Sequence, residues 1–162
     1  MGSKLKELGT EALPDVVKAL MSESDRGAVV LAGSYIENLL GVSLRSKFKV
    51  KTKKLDESIF GANGALSTFS QRIDICESFG FIKAEICTEL KIVKSIRNEF
   101  AHHPFDARFK DQEIDKLVKK LQLSKGMGIR DLKEPNESKS RQCYLSTCGS
   151  AITYISAFFG EA

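Results

Sequence analysis

Leu145, Cys148, Ile152, Ile155 and Phe159 recur at spacings of three, four, three and four residues. That period draws one apolar stripe along a helix and cannot line one face of a strand. Val29, Gly33, Ile36, Leu40 and Leu44 repeat the pattern, and so do Ile86, Leu90, Val93, Ile96 and Phe100. Stripes of this length must be covered, and covering one with another predicts an all-α helical bundle with long helices over about 24–48, 84–101 and 138–159 at its centre. No segment shows sustained strand alternation bounded by hairpin signals, apart from a short basic stretch near residue 50.

Punctuation residues divide the rest. Ser22 to Asp25 supply caps for the first long helix, whose Ala28, Ala32 and Gly33 would let a neighbour approach closely. Gly61 to Gly64 break the pattern; Phe69, Ile73 and Cys76 then mark a short helix that Gly80 ends. Pro104 disfavours helical geometry at His103, so the helix through Phe100 should stop near Ala101. Residues 111–121 suit a short helix, 122–137 read as a loop, and 4–20 as a weaker amphipathic helix with Pro14 starting a helical turn. Five to seven helices in a single domain spanning 1–162 are expected, closed by the last helix.

Composition narrows the function classes. The chain has 25 basic and 21 acidic residues, a net charge of +4, too little to mark a dedicated nucleic-acid binder. Cys76, Cys87, Cys143 and Cys148 lack the Cys-x-x-Cys spacing of zinc sites and the density of a disulfide scaffold, so reduced thiols are expected. No apolar run serves as a signal peptide, and no segment is expected to reach the ~20 apolar residues of a membrane span. A soluble, cytoplasmic protein without metal or cofactor follows as the expectation.

Chemistry concentrates in residues 92–104, where Arg97, Asn98, His102 and His103 gather at one helix end. An arginine beside an apolar wall is weakly screened and its planar fork matches phosphate or carboxylate oxygens. A histidine within reach of that anion could move a proton to or from a ribose oxygen without any metal. Structural roles explain the same residues: Arg97 paired with Asp74, Glu37 or Glu99, Asn98 capping carbonyls, and a histidine favoured by the helix dipole.

Three separated blocks go further. Residues 24–37 (Ser-Asp-Arg-Gly-Ala-Val-Val-Leu-Ala-Gly-Ser-Tyr-Ile-Glu), 64–74 (Gly-Ala-Leu-Ser-Thr-Phe-Ser-Gln-Arg-Ile-Asp) and 96–103 (Ile-Arg-Asn-Glu-Phe-Ala-His-His) together resemble, in order, the mannitol operon repressor family over about residues 22–121. The resemblance implies an all-helical transcriptional regulator of sugar-alcohol uptake genes that lacks a DNA-reading element and acts through a protein partner, a transcription factor or a second copy of itself. No sequence-specific DNA binding by the isolated chain and no membrane partner are expected. The spacing from Arg97 to His102 is also similar to the signature of HEPN domains, bundles that include dimeric metal-independent ribonucleases. That likeness implies Arg97 on the phosphate charge, His102 on the proton and Asn98 positioning either, with RNA as the substrate.

Asp25, Arg26, Glu37, Arg72 and Asp74 fall inside the blocks, and with His103 they form the candidate binding set, expected as an ionic network near Arg97. Arg45, Lys47, Lys49, Lys51, Lys53 and Lys54 put six cations into ten residues without an acid, with Phe48 and Val50 between them. Such a run could track a phosphate backbone while the aromatic stacks on unpaired bases. A solvated loop or an edge strand protected by lysines explains it equally. Ser67 and Ser70 lack a Gly-x-Ser-x-Gly turn and suit capping and packing.

Overall fold

The computed structural model of the chain describes residues 13–49, 51–103, 107–123 and 139–160. All regular structure among them is helical: α1 (Leu13–Ser22), α2 (Asp25–Lys47), α3 (Lys53–Phe60), α4 (Phe69–Ser78), α5 (Ala84–His102), α6 (Gln112–Val118) and α7 (Lys139–Gly160). Residues 4–12 of the helix expected over 4–20, and most of the expected loop over 122–137, lie outside the described residues.

α2 is the central element, packed most extensively on α7 and α5, with α4 resting on α5 and α2. The stripes meet as expected: Val29, Ile36, Leu40 and Leu44 of α2, Leu90, Val93, Ile96 and Phe100 of α5, and Cys148, Ile152 and Ile155 of α7 share one core. Burial of these side chains, at roughly 1.5–3 kcal/mol each, is the main term holding the helices together. Leu145 is only half-buried and Tyr144 takes its place in the interior, its hydroxyl donating to the Val29 carbonyl at 3.3 Å.

Caps fix the ends. Ser24 starts α2 by accepting from the Gly27 amide, and Thr68 with Gln71 forms a capping box at α4. α4 ends at Phe79, followed by Gly80 at φ 66°, where the αL conformation favours glycine. Pro14 stands in the first turn of α1, where a missing N–H leaves no bond unmade.

Two features depart from the sequence reading. α3 was not foreseen: Thr52 caps it, and Phe60 anchors it against Phe48 at 5.7 Å between ring centroids. The basic stretch that alternates like a strand therefore spans the end of α2 and the start of α3, and no strand forms among the described residues. α2 itself is 23 residues long with a window of mean hydropathy 1.4, so by length and composition one helix does reach what a membrane span needs. Half of that window is buried in the bundle, which is how the core helix of a folded domain meets the same criterion.

Candidate functional site

Arg97 projects from α5 toward α2 and α4. Its Nη1 donates to Glu37 Oε2 at 2.5 Å, both side chains being about 21% exposed, and its guanidinium lies 5.3 Å from the Phe69 ring centroid. Gly33 permits the approach: a Cβ there would stand 2.7 Å from Arg97 Cδ. The small residue expected to admit a helix backbone admits a side chain instead.

Arg72 supports the same corner from below. It is buried, and its Nε donates to the Leu66 carbonyl while Nη1 donates to the Glu37 carbonyl, both at 2.8 Å. Burial pushes its guanidinium below the usual value, with Glu37 opposing that shift and Arg45 adding to it. Glu37 thus takes Arg97 on its carboxylate and Arg72 on its backbone. Beside them Lys94 donates to the Ser70 hydroxyl at 2.7 Å, which joins the first turn of α4 to α5.

The histidines face elsewhere. Five residues of helix turn His102 about 140° away from Arg97. His102 is exposed at the last position of α5, and Asn98 is exposed one turn before it. The expectation that Arg97 and His102 open onto a common hollow therefore fails on helical phase: the arginine belongs to the interior seam and the histidine to the surface. The helix does run far enough for Asn98 and His102 to share a face, yet no hydrogen bond joins them among the described residues. His103 caps α5, its amide donating to the Glu99 carbonyl, and lines an open cavity of ≈310 Å³ with Glu99, Asp111, Glu113 and Ile114.

The expected ionic network divides into separate groups because its members sit at different phases of their helices. Glu37 does meet Arg97, and Arg72 joins the same corner through the Glu37 carbonyl. Asp25 instead pairs with Arg141 of α7 at 2.9 Å and accepts from the Phe109 amide at 3.3 Å. Asp74 is exposed and faces Lys91 at 3.5 Å, beside the closer Lys91–Glu77 pair at 2.6 Å. Arg26 lies exposed on the first turn of α2.

In the basic run, Arg45 is committed to Asp56 at 2.7 Å and to the Phe60 face at 4.1 Å. Lys47 lies over Phe159 at 5.4 Å, and Lys49, Lys51, Lys53 and Lys54 are exposed. Phe48, expected to stack on bases, packs on Phe60 instead.

Two buried charges were missed by the sequence reading. Arg141 is about 8% exposed; besides Asp25 its Nη2 donates to the carbonyls of Leu20, Met21 and Glu23, closing the end of α1. Glu89 accepts from the amides of Gln122 and Leu123 at 2.9 and 3.0 Å. Their signal was phase: Arg141 stands three residues before Tyr144 and seven before Cys148, on the buried stripe of α7. The cysteines are joined by no disulfide, and no metal-holding group of His, Cys, Asp or Glu occurs among the described residues.

No family model and no curated protein matches the chain. Among solved structures it is similar to the X-ray structure of the MtlR–HPr complex from Escherichia coli, with a TM-score of 0.66 at 18% identity over 91% of this chain and 97% of that chain. The all-helical bundle described above is therefore an MtlR-like fold.

Proposed function

We propose that this chain is a regulatory binding module that acts by engaging another protein and performs no catalysis of its own. The observation that carries the reading is the match in fold, over nearly the full length of both chains, to a protein solved in complex with HPr. Fold alone does not assign a task, and the site adds the second support. The guanidinium that a ribonuclease site would use, that of Arg97, is already occupied by Glu37 and backed by Phe69. A metal-independent HEPN-type ribonuclease built on Arg97 and His102 would need that guanidinium released and the two side chains brought to one face.

In this reading the chain is a cytoplasmic regulator of sugar-alcohol uptake genes whose partner is an HPr-type protein, a transcription factor or a second copy. It reads no operator by itself. Isothermal titration with HPr tests the proposal: saturable binding is expected, along with no shift of an operator duplex by the isolated chain. Absence of heat at high concentration, or a tight sequence-specific DNA shift, would overturn it.

A further inference from the structure

We propose that the end of the bundle where α2, α4 and α7 finish is a binding face for single-stranded nucleic acid, built from the exposed rings of Phe79 and Phe158 and the lysines that follow α2. The aromatic part is continuous. Phe79 stacks on Phe81 at 5.6 Å with an interplanar angle of 18°; Phe81 meets Phe159 at 6.0 Å, and Phe159 meets Phe158 at 5.4 Å. Lys47 sits over this row, 5.4 Å from the Phe159 centroid and 6.0 Å from that of Phe158.

Two of these rings face water to a degree that folding does not explain. Phe79 is 68% exposed and Phe158 40% exposed, whereas Phe159 is buried and Phe81 partly buried beneath them. The inner rings hold the outer ones in place, which leaves flat apolar faces presented at the surface.

Positive charge follows Lys47 in the chain. Lys49, Lys51, Lys53 and Lys54 are exposed and form no ion pair among the described residues. The nearby acid Asp56 is taken by Arg45, leaving Glu57 as the acid of α3 without an ion pair among the described residues. From Lys49 to Lys54 the chain spans at most about 18 Å, and it starts two residues after the lysine that covers the rings. Exposed rings under one lysine, with four more exposed lysines within the next seven residues of chain, match a phosphate backbone with unpaired bases stacked at one end. Lysine is depleted at protein interfaces, which favours a polyanion over a protein occupant. A membrane-surface element would instead present a helix with a broad apolar face. The platform is distinct from the aromatic that the sequence suggested, since Phe48 is packed against Phe60.

The test is fluorescence anisotropy of the whole chain with a labelled single-stranded oligouridine or oligothymidine in chelator, over a salt series. Binding is expected, with log affinity falling against log salt at a slope of about −3, since each neutralised phosphate contributes about −0.7. Phe79→Ala, at a surface position, should weaken binding by about fivefold to a hundredfold and leave the slope unchanged. Lys49→Glu with Lys53→Glu should lower the slope, while Lys120→Glu, at an exposed turn after α6 and outside the lysine run, should change nothing. The proposal is overturned by no binding at low salt, by equal affinity for a duplex, or by an unaffected Phe79→Ala. Binding to phosphatidylserine vesicles in place of the oligonucleotide would overturn it as well.

Discussion

Arg97 crosses α2 at Gly33. A Cβ at residue 33 would stand 2.7 Å from Arg97 Cδ, and beyond that crossing the guanidinium closes on Glu37 at 2.5 Å. The relationship makes the effect of alanine at residue 33 depend on residue 97. Alanine gains about 0.5–1 kcal/mol over glycine inside a helix. Here it must also push a mostly buried ion pair apart, so Gly33→Ala is expected to lower stability by about 1–2 kcal/mol. In an Arg97→Ala background the obstruction is gone, and the same change should stabilise by about 0.5–1 kcal/mol. Urea unfolding of the four chains in a double-mutant cycle measures that reversal of sign.

Arg141 is the more costly charge to remove. Its fork serves Asp25 and three carbonyls at the end of α1. Arg141→Ala strands all of them and should cost about 3–5 kcal/mol, a fall in Tm on the order of 10 °C for a chain of this size. Arg141→Lys should recover little, because an ammonium cannot present the same planar set of donors. Thermal unfolding followed by circular dichroism distinguishes these outcomes.

Burial pushes the Cys76 and Cys148 thiols up to about 12 and the Cys87 thiol up to about 11, from an ordinary value of 9.0. The Tyr144 hydroxyl, fully enclosed, is likewise raised well above its usual value. A raised value in the folded state means that above pH 9 the unfolded chain loses protons the folded chain keeps. Stability from these groups is complete below about pH 9 and declines as pH rises toward 11–12. The urea midpoint should show that decline, and Cys148→Ala should reduce its steepness.

Exposure sorts the same thiols by reactivity. In the native protein a thiol reagent should modify the half-exposed Cys143 first and reach buried Cys76, Cys87 and Cys148 only after unfolding. Counting modified thiols by mass spectrometry, with and without denaturant, checks the order.

The stripes of α2, α5 and α7 were legible because a period of 3.6 is written directly into their apolar residues. α3 was not, since Leu55, Ile59 and Phe60 are too few to set a period and the element depends on a Thr52 cap and the Phe48–Phe60 contact, both set by what surrounds it. The Arg97 partner was among those foreseen, because an arginine in phase with Val93 must find a carboxylate from another helix, and Glu37 faces it. The shared hollow of Arg97 and His102 was misread: a motif counted along the chain ignores that five helical residues point to different sides. Arg141 and Glu89 escaped because charges read as surface residues unless their phase on the stripe is weighed.

Incubation of the pure protein with single-stranded RNA in chelator, beside Arg97→Ala and His102→Ala, tests the central claim most directly. The account expects RNA to remain intact with all three proteins. Arg97→Ala should lower stability by about 1–3 kcal/mol through the stranded Glu37 carboxylate, while His102→Ala stays within about 0.5 kcal/mol of wild type. RNA cleavage by the wild type that disappears in both variants would contradict it.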